Sequence, residues 1–337
     1  MTIKDIAKLS GVGVSTVSRV LNDRPDVSEE SRRRVLQVIA ECNYLPNNSA
    51  RSLVRTKSDA IGLVVRGVQN PFYTGIIRAI ERDLDAEGCT MVMRQIGSCE
   101  DEIKCGAMME REKRLQGIIF LGGRSDYTPA ETALLNVPFV CCSYTNAYGT
   151  LDPTQYSSVS IADEQEAYRA VMDLAQKGHR RIAALSTDPR DCSISQLRCA
   201  GYARALHDLG LAPEDGEIIC ADDFTIESAY RAVTQRLKRP ADFTAIFAIS
   251  DDMAIGAMRA LRESGRSIPE DCSIIAIDGI DISNYTVPTL TTLIQPQAAM
   301  GEEAVRILLD MVEERSGNRH VRMDTTLRTG GSVAEYI

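Results

Sequence analysis

The chain has 337 residues, 44% hydrophobic and 25% charged, an ordinary globular balance with room for two or three domains. No apolar run approaches the ~20 residues of a membrane span, and the opening MTIKDIAKLS is polar, without the apolar centre of a secretory signal. A cytoplasmic protein without membrane contact is expected. The net charge of −9 argues against nucleic-acid binding by the chain as a whole, but it is unevenly spread. Residues 1–58 carry ten Lys/Arg and six Asp/Glu, which leaves 28 basic and 41 acidic residues for the rest. A basic head on an acidic body points to nucleic-acid contact at one end only.

Three short helices are expected in the head. Ile3, Ile6 and Ala7 share one face of the first, Val17, Val20 and Leu21 one face of the second, and Val35, Val38 and Ile39 one face of the third. The turn Ser10-Gly11-Val12-Gly13 joins the first two in helix-turn-helix fashion. Ser28 is the expected N-cap of the third, with Glu29 and Glu30 at its positive end. The inward valines leave Ser15, Thr16, Ser18, Arg19 and Asn22 outside on the second helix. Those hydroxyls, the amide and the guanidinium suit base edges and phosphates. The alternative is a solvated face with one chance arginine. Gly11-Val12-Gly13 begins like a dinucleotide fingerprint, but it lacks the third glycine and follows a helix.

The run TIKDIAKLSGVGVSTVSRVLN, followed by VSEESRRRVLQVIAECNYLPN, resembles the head of the lactose-repressor (LacI/GalR) family of bacterial transcriptional regulators. That resemblance implies that Val14 and Ser15 help choose the operator and that Arg19 contacts a base. It also places Thr2, Thr16, Ser18 and Asn22 at phosphates or bases. Gly13 stands where the family usually has a capping serine. Pro46 ends the third helix. The segment 47–58 reads on its own as a linker with a possible two-turn helix, too short to be stable alone. In the family it folds on DNA and enters the minor groove, which implies DNA contacts for Asn47, Ala50 and Arg51. Leu53 matches the leucine that wedges between base pairs. Without the resemblance, Leu53 is a linker leucine packed on the core.

Beyond residue 58, apolar runs alternate with helical stretches. Strands are expected at Ile61–Val65, Thr90–Gln95, Gly117–Leu121, Phe139–Cys142, Arg181–Ser186, Ala245–Ala248 and Ser273–Ile277. This rhythm implies parallel sheets covered by helices, and there is enough of it for two lobes. The fold class expected is therefore α/β, with a small all-α helix-turn-helix head (1–46), a linker (47–58) and a two-lobed core (59–337). The motifs NPFY (70–73), GHRRI (178–182), GAMRAL (256–261) and TLTT (289–292) resemble the same family's core, which is similar to periplasmic sugar-binding proteins. The analogy implies crossings near 160, 290 and 321. The first lobe is then about 59–160 and 291–320, the second about 161–290 and 321–337.

Ligands of such folds sit at the C-terminal ends of the strands. The resemblance places Phe72, Tyr73, Arg198, Phe224, Ser250 and Asp278 in the effector pocket. Taken alone, each has another reading: the Asp as a helix cap, the Arg paired internally, the Phe as core. Ser250 in place of Asn, with Ala276-Ile277 before Asp278, implies a pocket less polar than most sugar sites. A sugar is the default effector, a less polar metabolite the alternative.

The overall expectation is a sequence-specific regulator, a repressor by default, binding a pseudo-palindromic double-stranded operator as a homodimer under small-molecule control. A cytoplasmic binding protein or enzyme on the same core fold is the other reading. No phosphate loop or Gly-x-Ser-x-Gly points to catalysis, so no enzyme and no cofactor are expected. The last core strand is followed by no heptad tail that would make a tetramer. Ten scattered cysteines without Cys-x-x-Cys, and only three histidines, point to buried reduced thiols and no metal.

Overall fold

The computed structural model describes residues 2–21, 24, 26–42, 59–67, 70–97, 100–211, 216–240 and 242–336. Asn22, Asn47, Ala50, Arg51 and Leu53 of the expected DNA contacts, and the segment 47–58, lie outside these residues. The chain divides into two compact units, Met1–Ser58 and Asp59–Ile337.

The first unit holds α1 (Ile3–Ser10), α2 (Val14–Leu21) and α3 (Glu29–Glu41). Its core is Ile6, Ala7, Val17, Val20 and Val35, with Ile3, Leu21, Val38 and Ile39 packed against it. These are the residues that the helical spacing turns inward. The Asp5 carboxylate accepts from the amide of Thr2 at 2.8 Å and from its hydroxyl at 2.9 Å, tying down the start of α1. Gly11 ends α1 in the left-handed conformation (φ 67°), where a β-carbon is costly. Ser28 caps α3, accepting from the Ser31 amide at 3.4 Å.

The second unit contains two six-stranded sheets, here numbered along the chain. The first comprises β1 (Ala60–Arg66), β2 (Thr90–Ile96), β3 (Gly117–Leu121), β4 (Phe139–Cys142), β5 (Ser157–Ile161) and β11 (His320–Met323), in the order β11-β5-β4-β3-β1-β2. All its pairings are parallel. The second comprises β6 (Ile182–Ser186), β7 (Gly216–Cys220), β8 (Ala245–Ala248), β9 (Ser273–Asp278), β10 (Thr291–Ile294) and β12 (Thr326–Arg328), in the order β12-β10-β9-β8-β6-β7. Only β12 runs antiparallel. Central strands such as Gly117–Leu121 and Ala245–Ala248 are buried along their whole length, which is why they read as unbroken apolar runs.

Helices cover the sheets. In the first lobe, α4 (Phe72–Ala86) and α11 (Gln297–Val312) pack together, and Ile76, Ile80, Leu84, Met300, Ala304 and Leu308 seal one face of the sheet. The other face meets α5 (Glu102–Lys113) through Ile103 and Met109, with the short α6 (Pro129–Thr132) farther along the chain. The second lobe uses α7 (Asp163–Gln176), α8 (Ile194–Asp208), α9 (Ile226–Arg236) and α10 (Asp251–Glu263) around a single core.

Two crossings fall later than the analogy implies. Thr291–Ile294 pairs with β9, so the chain leaves the second sheet after Ile294 rather than near 290. His320–Met323 pairs with β5, so the return comes just after Met323, two residues beyond the expected point near 321. The first crossing lies between Ile161, the end of β5, and Asp163, the start of α7. The cysteines also depart from the expectation of uniformly buried thiols. Cys105, Cys141, Cys142, Cys199 and Cys272 are buried, Cys42, Cys89 and Cys192 partly so, and Cys220 is exposed.

Candidate functional site

Helix α2 turns Val17 and Val20 into the head core and leaves the opposite face open. Val14, Ser15 and Arg19 are exposed, Thr16 and Ser18 half-exposed, and Thr2 is exposed at the start of α1. No acidic residue lies in the first turn of α2. Arg19 sits 3.5 Å from Asp26, and both side chains are 58% exposed. An exposed pair of this kind contributes little to stability, so Arg19 is available to another anion.

In the second unit a cavity of about 330 Å³ opens between the lobes. The first lobe supplies Arg66 and Gly67 from the end of β1, Asn70 and Tyr73 from the start of α4, and Gly123 from beyond β3. Facing them are Thr187, Asp188, Asp191 and Ser193 after β6, and Asp222, Asp223 and Phe224 after β7. In each sheet the strand next to the cavity, β1 or β6, has successive strands on opposite sides. These are topological switch points, where loops diverge and leave a crevice. Gly123 has no room for a side chain, since a β-carbon there would lie 2.4 Å from the Tyr144 ring.

Of the six effector residues implied by the resemblance, Tyr73 and Phe224 line this cavity. Burial pushes the Tyr73 hydroxyl up to about 12, against a hydrogen bond with Ser143 that lowers it. Phe72 is core, 3% exposed, its ring tilted against Tyr73 at a centroid distance of 5.6 Å. Ser250 is buried and caps α10, accepting from the Met253 amide at 3.3 Å.

Arg198 and Asp278 are buried as well and lie outside the cavity wall. Arg198 has internal partners. Its Nε donates to Asp163 Oδ1 at 2.9 Å, a terminal nitrogen lies 2.8 Å from the same oxygen, and another donates to the Ile249 carbonyl. Asp278 Oδ1 is 3.5 Å from Arg198 and accepts from the side-chain Nε2 of Gln295 at 2.8 Å. Burial pushes its carboxyl up to about 8, with Asp251 and Asp252 adding to the rise and Arg198 opposing it. Asp278 also holds a backbone φ of 143°, unusual for a residue with a side chain.

The sequence substitutions singled out above do not reach the wall. Ser250, Ala276 and Ile277 are at most 2% exposed and lie beneath the surface they were expected to shape. Four aspartates, Asp188, Asp191, Asp222 and Asp223, form much of the second-lobe side. Sequence reasoning missed them because they sit in loops and are tied to local turns. Asp188 Oδ1 accepts from the Arg190 amide at 2.9 Å, and Asp223 Oδ1 accepts from the Thr225 amide at 2.9 Å. The one signal available was their position just beyond strand ends.

Among the described residues no helix is long and apolar enough to cross a membrane. The family model for bacterial regulatory proteins, lacI family, matches residues 2–47, and that for a periplasmic binding protein-like domain matches residues 171–333. The HTH-type transcriptional regulator MalR of Clostridium butyricum is 39% identical over 329 residues, covering 97% of each chain. The lac repressor dimer bound to operator and the anti-inducer ONPF superposes with a TM-score of 0.82 at 26% identity, covering 99% of both chains. A transcriptional regulator CelR–cellobiose complex gives 0.72 at 30% identity, covering 98% of this chain and 99% of that one. With a helix-turn-helix head and a two-lobed core matched over nearly its whole length, this chain belongs to the lacI family of bacterial regulatory proteins and is a transcriptional regulator, not an enzyme.

Proposed function

We propose that the chain is a cytoplasmic repressor that binds a pseudo-palindromic operator as a homodimer and is controlled by a sugar in the interlobe cavity. The observation that carries the DNA half is the open face of α2, where Val14, Ser15, Thr16, Ser18 and Arg19 stand free of acidic neighbours on the helix itself. One short helix reads too few base pairs alone, and a two-fold pair of heads doubles the site. Thr2 joins that surface at phosphates. Asn22, Asn47, Ala50, Arg51 and Leu53 complete it by resemblance to the family.

For the effector, Tyr73 and Phe224 offer ring faces to the apolar side of a sugar. Asn70, Thr187, Ser193 and the aspartates offer hydrogen bonds to its hydroxyls. At about 330 Å³ the cavity lies at the small end of the ~300–1,000 Å³ range of ligand sites. Two similar regulators were solved with sugars, one with cellobiose and one with ribose. Arg198, Asp163 and Asp278 hold the second lobe's side of the cleft in shape rather than touching the ligand.

The test is selection of binding sites from random DNA, followed by gel shifts with and without candidate sugars. A palindromic consensus that is lost or strengthened with one sugar supports the reading. A half-site bound by a monomer, or binding that no sugar changes, contradicts it.

A further inference from the structure

Glu102 opens α5 and is fully buried. Its contacts fall on one oxygen. Oε1 accepts from the Arg124 amide at 2.7 Å and from the Tyr127 hydroxyl, and it lies 3.6 Å from the Arg66 guanidinium. Oε2 has no hydrogen-bond partner among the described residues. A buried carboxyl oxygen in that condition lowers stability, so folding alone does not account for an acid at this position. Glu102 is not part of the interlobe cavity wall.

Both donors belong to the stretch 122–128, which leads from β3 to α6. Arg124 and Tyr127 are drawn to the same oxygen, and between them the Ser125 amide turns to the second lobe, donating to the Cys192 carbonyl at 2.7 Å. Ser125 is fully buried, so in this lobe arrangement its amide has no water to turn to. The two ends of the arch are held differently. Tyr127 has a second anchor in Asn146, whose Oδ1 accepts from its amide at 2.6 Å and whose Nδ2 donates to its carbonyl at 3.0 Å. The Arg124 amide is held by Glu102, while the Arg124 side chain bonds only nearby in sequence, to Asp126 and Glu131.

We propose that Glu102 is a positioning residue for the contact between the lobes: it holds the Arg124 end of this arch, presents the Ser125 amide to Cys192, and so biases the balance of lobe arrangements that governs operator binding. The inference rests on the reading of the core as the control module of a DNA-binding head. A contact made in one arrangement and lost in another shifts their populations by its own free energy. Burial pushes the Glu102 carboxyl up, against the pull of Arg66 and of the backbone amides of Glu102 and Arg124. A neutral amide of the same shape should therefore do the same task, whereas an apolar side chain of similar length should not.

The experiment compares the full chain with Glu102→Met, Glu102→Gln and Tyr127→Phe, without any effector. It reads amide hydrogen exchange across 122–128 and affinity for an operator selected from random DNA. Glu102→Met keeps the volume and removes the acceptor. It should speed exchange at Arg124 and Ser125 about tenfold and change operator affinity roughly threefold to tenfold, the range of one hydrogen bond. Glu102→Gln keeps the acceptor and should match the parent in both. Tyr127→Phe removes one of the two donors; it should move both readings in the same direction as methionine but by less, and it decides the matter if the methionine variant does not fold. A methionine variant indistinguishable from the parent overturns the proposal, because packing would then be the whole role. Faster exchange with operator affinity unchanged also overturns it, because the lobes would not sense the arch. A parent that binds no operator fails the regulator reading, and the exchange arm alone then decides whether Glu102 holds the contact.

Discussion

The amide of Ser125, just beyond β3 in the first lobe, donates to the carbonyl of Cys192, beyond β6 in the second, at 2.7 Å. This bond ties the two lobes beside the cavity, and Cys192 makes it from a left-handed conformation with φ 50°. A side chain in that region costs roughly 1–2 kcal/mol that glycine does not. Cys192→Gly should raise the melting temperature of the ligand-free chain. Cys192→Val, β-branched, should lower it. Thermal melts of the three proteins check the order; a valine variant as stable as the parent contradicts it.

Arg198 distinguishes a structural from a ligand-facing role. Arg198→Met leaves Asp163 and Asp278 buried without their cation, and loss of one member of a buried ion pair costs about 3–5 kcal/mol. Denaturant unfolding should show that loss in the absence of any ligand. Wild-type stability with weakened effector binding would return Arg198 to the ligand.

Asp252 sits beside Asp251 at the start of α10, 6% exposed, with its Oδ1 unpartnered. Burial first, then Asp251, pushes its carboxyl up to about 6. The native state therefore holds this proton more tightly than the unfolded chain does, and the group's contribution to stability falls as pH rises. The loss begins near the unfolded value of 3.8 and is complete above about 6. Asp252→Asn should gain about 1–2 kcal/mol over wild type at pH 7 and little at pH 4, read from denaturant melts across that range. A gain independent of pH would contradict this account.

Arg19 lies 3.5 Å from Asp26. Asp26→Asn frees the guanidinium and removes a negative charge from the basic head. Operator binding at fixed salt should tighten about two- to fivefold, with the salt slope slightly steeper. Unchanged affinity would mean that Arg19 does not reach the DNA.

Gly13 precedes α2 and leaves that helix without a capping side chain. A β-carbon at this position would come no nearer than 3.5 Å, to the Ser15 hydroxyl, so serine fits. Gly13→Ser should slow hydrogen exchange of the Ser15 and Thr16 amides, a gain of a few tenths of a kcal/mol. Faster exchange would show that the backbone there needs glycine.

The helix faces of the head, the parallel two-sheet core and the central strands were legible in the sequence, because burial on both faces of a strand or one face of a helix leaves an apolar pattern in the chain itself. β5 and β11 were not. Ser157, Ser158 and Ser160 are buried inside a sheet, and their polarity hides the strand. Two of those hydroxyls are satisfied from residues more than 150 positions away, Ser157 by Asn318 at 3.0 Å and Ser158 by His320 at 2.8 Å. The site divides in the same way. Residue type and resemblance located Tyr73 and Phe224. Only the folded chain decided that Arg198 spends its charge on Asp163 and Asp278 while four loop aspartates face the cavity, because whether a charge is paired depends on partners brought from distant parts of the chain.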